Sequence, residues 1–175
     1  MKVMTLKENN MIEIKQEFKD LIPPLTKEEF KQLENNCMTE GIREKILTWN
    51  GFIIDGHNRY EIATRWDLDF ETENKHFDNE EAVKEWMILN QFGRRNLSNY
   101  QRSVLALELE EVFSKKAKEK QIEGGKNKVV QISEQAPMER KAITQISKVA
   151  SVSHDTIAKV KKIQEKAPEE VKAKL

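Results

Sequence analysis

The sequence predicts an α+β fold, a small α/β domain in front followed by an all-α rear. Three observations carry that expectation. Two short apolar runs, "KILTW" and "FIID", flank Asn50-Gly51, a dipeptide that accepts the positive φ values of a tight hairpin. Beyond Asp78 the periodic apolar segments are all helical in spacing. Charge also divides the chain: from Lys115 to Leu175, 14 Lys and 1 Arg stand against 8 Asp plus Glu, a net of +7, so residues 1–114 carry −7 of a total of zero.

The first expected helix is "LTKEEFKQLENN", where Thr26 caps and Glu29 completes a capping box, with Leu25, Phe30 and Leu33 on the inner side. Pro23 and Pro24 block a helix from entering on the left. After Gly41 come strand, Asn50-Gly51 turn and strand, then a helix over "GHNRYEIATRW" burying Tyr60, Ile62, Ala63 and Trp66. "ETENKHF" has weaker strand character. A helix restarts at Asp78, with Asp78 and Glu81 in capping-box spacing. The spacing then predicts a long helix from Ser98, again with a capping box to Gln101, to about Gln121, with Val104, Leu105, Leu107, Leu109, Val112 and Phe113 at helical intervals. Gly124-Gly125 ends it, and "GGKNKVVQISEQAPMER" reads as a linker. The expected organisation is a domain over 8–97, a connecting helix over 98–123, a linker over 124–140 and a helical region over 141–175. The last of these finishes in a short helix with Pro168 in its first turn.

Composition excludes several classes. Charged residues make up 34% of 175, and no apolar run approaches the ~20 residues of a membrane-spanning helix. The N-terminal stretch lacks the apolar block of a secretory signal, and the single cysteine, Cys37, forms neither an internal disulfide nor a CxxC zinc pattern. The basic rear suggests a polyanionic partner, although a lysine-rich solvated helix surface gives the same balance. Trp49, Trp66 and Trp86 are expected in the front core, and His76 has no metal-like spacing.

"IIDGHNRY" is where chemistry is expected. A strand that ends in a glycine and opens a helix directs backbone N–H groups and the positive end of the helix dipole outward, which favours phosphate. Gly56 lets the backbone approach an anion, Arg59 in the first helical turn can clamp two phosphate oxygens, and His57 and Asn58 can add hydrogen bonds. Asp55 would repel phosphate directly but could hold a bridging metal ion. A tight turn whose arginine pairs with a surface carboxylate has the same spacing.

"GFIIDGHNRYEIATRW" resembles the phosphate-binding box of the ParB/sulfiredoxin superfamily, in which a strand leads through Gly-x-x-Arg into a helix. Partition proteins of this type usually carry Gly-Glu-Arg-Arg there, and the kinase and sulfiredoxin branches a His-Arg pair; this chain has Gly56-His57-Asn58-Arg59. "TEGIREKILTW" is similar to the family's upstream loop and strand, which implies that Gly41, Ile42 and Arg43 line a nucleotide pocket. "NQFGRRNLS" aligns with Glu-Asn-x-x-Arg-x-x-Leu, mapping Asn90 and Gln91 onto the residues that serve the metal-bound triphosphate, and Arg94 onto the arginine.

Asn90 has no charge with which to polarise water or neutralise a divalent ion. The resemblance therefore implies binding of CTP (or ATP) with Mg2+, in which Asn90 and Gln91 are the candidate metal ligands, more than it implies hydrolysis. It also implies a cytoplasmic protein associated with the nucleoid or a plasmid, forming a homodimer that depends on its ligand. The resemblance spans about Leu21 to Ile163.

"ITQISKVASVSHDTIAKVKKI", Ile143 to Ile163, fits a helix-turn-helix unit. Ile146, Ala150, Val152, Ile157 and Val160 would face inward, Ser151 would occupy the turn, and Ser153 would cap the second helix. The residues expected to meet double-stranded DNA are Lys148, Ser153, His154, Thr156, Lys159 and Lys161, with Asp155 beside them. A plain helical hairpin has the same apolar spacing. An enzyme on the same front fold, a phosphotransferase or nuclease using Asp55 or His57, is the competing expectation. A DNA-binding regulator whose front domain holds no ligand is the third.

Overall fold

A computed structural model describes residues 12–93, 97–123 and 144–168, without the side chains of 119–123. Its described elements are α1 (Gln16–Asp20), α2 (Lys27–Glu40), β1 (Ile46–Trp49), β2 (Phe52–Asp55), α3 (His57–Trp66), β3 (Thr72–Asn74), α4 (Glu80–Phe92), α5 (Asn99–Glu123), a helix over 144–150 (α6) and α7 (His154–Lys166). The mixed α+β class is the one expected. The linker over 124–140, Arg94 and Arg95, and the last helix after Pro168 lie outside the described residues.

The chain forms two compact units. The first takes the described residues up to Asp20 together with Pro24–Asp78; the second takes Leu21–Pro23 and the residues from Asn79 onward. Thus α4 groups with α5 and α7, whereas the sequence was divided after Leu97.

In the first unit the sheet runs β2-β1-β3, antiparallel between β1 and β2 and parallel between β1 and β3. The hairpin turns on Asn50 (φ 49°) and Gly51 (φ 85°), two consecutive left-handed residues, as a right-twisted two-residue connection requires. The register slips between Leu47 and Thr48, so β2 carries an extra residue and the consecutive Ile53 and Ile54 are both buried. Glu13 adds a further parallel bridge to Phe52, and Phe18 of α1 packs its ring at 6.4 Å from Trp49 and 6.5 Å from Phe52. Neither α1 nor this bridge was expected. The weak strand "ETENKHF" is real as β3, over Thr72–Asn74.

Thr26 and Glu29 form the expected reciprocal capping box. The inner side of α2 differs from expectation: Leu25, Phe30 and Leu33 are half-buried, and Cys37 is its buried residue. Ile62 and Ala63 are buried on α3, but Tyr60 is half-buried and Trp66 is 48% exposed. The reason is polar: the Trp66 indole N–H donates to Glu34 of α2 at 2.9 Å, which holds the ring at the surface instead of in the core. Trp49 and Trp86 are half-buried.

In the second unit Asn79, not Asp78, caps α4, because its side chain accepts from the Ala82 N–H three residues on, the offset a cap requires. Ser98 and Gln101 make the expected box at the start of α5. Leu105, Ala106, Leu109 and Val112 are buried on it together with Ser103, while Val104, Leu107 and Phe113 are half-buried. Helix α5 packs against both α4 and α7.

Candidate functional site: the Gly56 turn and the α6–α7 pair

Gly56 joins β2 to α3 with φ 93° and ψ 18°, a left-handed conformation that L-residues adopt at a cost. A Cβ there would lie 3.2 Å from Arg59 Nη2 and 3.4 Å from the Ile46 Cα, so the glycine is required by crowding as well as by φ. As the residue before the helix it offers no side-chain oxygen, and the first turn of α3 contains no acidic residue. The leading N–H groups of α3 are thus left without a side-chain cap, and the helix dipole there is not offset by a carboxylate in the turn.

Arg59 folds back beneath this turn. Its Nη1 donates to Glu44 at 2.8 Å; its Nη2 donates to Asp55 at 3.1 Å and to the Lys45 carbonyl at 3.3 Å. The side chains of Arg59 and Asp55 are 19% and 15% exposed, that of Glu44 77%. Through Glu44 and Lys45 the loop after Gly41 meets the glycine turn, so two of the boxes recognised in the sequence share one site. Glu44 itself was missed: nothing in its spacing distinguishes it from a solvated glutamate. Within that loop Gly41 ends α2 at φ 76° in open space, Ile42 is half-buried, and Arg43 is exposed and pairs with Glu40 at 2.9 Å.

His57 is only 5% exposed, and neither ring nitrogen has a hydrogen-bond partner. Burial pushes its pKa down to about 4; nearby Asp55 opposes this and Lys19 adds to it, so the ring is neutral at pH 7. Arg59 Nε is also buried without a partner, while Asn58 is half-buried. Asp55, the other candidate for chemistry, is engaged with Arg59.

Asn90 and Gln91 belong to the second unit, at the end of α4. Asn90 is exposed; Gln91 is 1% exposed, with Oε1 lacking a partner. Among the described residues no group of three or more His, Cys, Asp or Glu is placed to hold a metal ion.

Helices α6 and α7 are joined by residues 151–153, with Ser151 left-handed at φ 56°. The five residues expected to face inward do so: Ile146, Ala150, Val152, Ile157 and Val160 are all buried. Ser153 caps α7 by accepting from the Thr156 N–H at 3.2 Å, and its hydroxyl lies 2.8 Å from that of Thr156. Lys148, Ser153, His154, Lys159 and Lys161 are exposed and Thr156 is half-buried. Asp155 stands in the first turn of α7, where the helix dipole favours a carboxylate. No described helix is long and apolar enough to cross a membrane.

Comparison with known proteins gives one kind of match. No family model and no curated protein matches the chain. Two solved structures of a pNOB8-like ParB N-domain share its fold. One, a C2221 crystal form, superposes with a TM-score of 0.60 at 17% identity, covering 86% of this chain and 64% of that one. The other gives 0.58 at 18% identity, covering 88% and 61%. The chain has the fold of a ParB N-domain and spans a little under two thirds of the length of each.

Proposed function

We propose that this chain is a ParB-like DNA-binding protein of the plasmid, phage or mobile-element kind. Its α+β unit receives the phosphates of a nucleoside triphosphate at the Gly56 turn, and α7 meets double-stranded DNA. The observation that carries the reading is the pre-positioned Arg59 guanidinium beneath an uncapped helix start, within the fold of a ParB N-domain. A left-handed glycine, leading helix amides and a planar cation together suit a phosphate group.

CTP is the first candidate and ATP the second, each carrying Mg2+ on its own oxygens. Asp55 is the carboxylate of this site that could complete the ion's shell. Asn90 supplies no charge for hydrolysis, so turnover is weak or nil. DNA contact falls to Lys148, Lys159 and Lys161 for phosphates, and to Ser153, His154 and Thr156 for base edges. Self-association of the α+β units, driven by the nucleotide, would link the two activities.

The test is calorimetry with CTP and magnesium on the full chain and on Arg59→Ala. Loss of binding in the variant is expected, and binding at full strength by it overturns the phosphate assignment.

One observation favours a second reading. Arg59 already has two carboxylate partners, as it would in a regulator whose front unit holds no ligand. Absence of heat with both CTP and ATP, while DNA binding persists, would establish that alternative.

A further inference from the structure

We propose that Glu44 is a tethered anion that occupies the ligand position on Arg59 and sets which form of the nucleotide the site accepts. The inference rests on the nucleotide reading above and names the residue that regulates it. Arg59 has two unlike carboxylate partners. Asp55, 15% exposed, accepts from Nη2 in a partly buried bond, and the exposed Lys45 carbonyl accepts from the same nitrogen. Glu44, 77% exposed, engages Nη1 with a carboxylate oxygen at 2.8 Å.

Asp55 is therefore the structural partner that aims the guanidinium, and Glu44 is the displaceable one. A carboxylate presents to a guanidinium N–H the same oxygen geometry as a phosphate. An exposed pair of this kind is weak, so a phosphate can replace it.

The charges decide the selectivity. Glu44 is a second carboxylate on one guanidinium, so an added anion meets its repulsion unless Glu44 swings away or a divalent cation accompanies the ligand. Glu44 thus disfavours free phosphate and metal-free nucleotide, and favours a triphosphate whose charge magnesium has partly cancelled.

The experiment is isothermal titration of the full chain with CTP, once with magnesium and once with EDTA. The wild type, Glu44→Gln, Arg59→Ala and the double variant are compared. Glu44→Gln keeps the shape and removes the charge at an exposed position, so folding is preserved. It should tighten magnesium-free CTP about fivefold and magnesium-CTP about twofold, in line with loss of an exposed ion pair and its repulsion. The gain should vanish in the Arg59→Ala background. A gain that persists there, or affinities unchanged in both arms, overturns the role of Glu44 and leaves the nucleotide reading intact. Absence of binding by both the wild type and Glu44→Gln overturns the nucleotide reading and this inference with it.

Discussion

Gln164 donates a 2.7 Å hydrogen bond from Nε2 to the hydroxyl oxygen of Tyr100, tying α7 to the first turn of α5 across 64 residues of chain. The bond is partly buried and joins two helices that pack against each other. Tyr100→Phe keeps the ring and removes the acceptor. The expected cost is about 1 kcal/mol, the net worth of one such bond. A urea titration of variant and wild type should show the midpoint falling with an unchanged slope. If α7 is held by apolar packing alone, the midpoints will coincide.

Gly56→Ala meets two penalties. The backbone keeps φ 93°, and the new methyl lies 3.2 Å from Arg59 Nη2 and 3.4 Å from the Ile46 Cα. Leaving glycine at a left-handed position costs on the order of 1–2 kcal/mol, and displacement of Arg59 adds to this. The variant should melt several degrees lower and, under the proposed function, lose nucleotide binding together with stability. Differential scanning calorimetry tests the first outcome and ligand titration the second.

His57 makes stability depend on pH in a defined direction. Burial, opposed by Asp55 and assisted by Lys19, lowers its folded pKa to about 4 from an ordinary value of 6.5. The unfolded chain therefore binds a proton at a higher pH than the folded one does. The stabilisation is fully present above pH 6.5 and drains away as pH falls toward 4. Urea midpoints measured between pH 7 and pH 5 should decline in the wild type. In His57→Gln that decline should flatten, because the side chain no longer titrates. An equal slope in both proteins would mean that the ring titrates in the fold as it does in the unfolded chain.

Lys159 and Lys161 are exposed on α7 and should contact DNA phosphates under the proposed function. Alanine at either position should weaken DNA binding uniformly across sequences and reduce the slope of log affinity against log salt by about 1. Electrophoretic mobility shifts over a salt series measure both. A change confined to one base position would instead make that lysine a base reader.

The fold was legible wherever chemistry is local. Asn50-Gly51 announced its hairpin, Thr26 with Glu29 and Ser98 with Gln101 their capping boxes, and the helical apolar spacing after Ile143 its buried face. These signals act over three or four residues and need no partner. Long-range pairing left weaker traces. Glu13 bridges Phe52, and α1 is too short to show a period. Trp66 looked like core because apolar character was counted without its N–H, which found Glu34 at the surface.

The candidate site divides the same way. Gly56 and Arg59 were legible from a strand–glycine–helix junction. That Glu44 and Asp55 would share the guanidinium was not, since that geometry exists only once β1 and α3 are assembled. Nor could spacing show that His57 turns inward to a buried position: a histidine at a helix start reads as accessible until packing hides it.

The parallel pairing of β1 with β3 has a kinetic consequence. Ile46, Leu47 and Thr48 meet Thr72, Glu73 and Asn74 only after the chain has passed through the hairpin and α3. The hairpin can close early as a local event, whereas the third strand must wait for the intervening helix to dock and bear the entropy of a long loop. Substitutions that loosen α3 should therefore slow the completion of the sheet, leaving a two-stranded intermediate whose open edge is a template for aggregation.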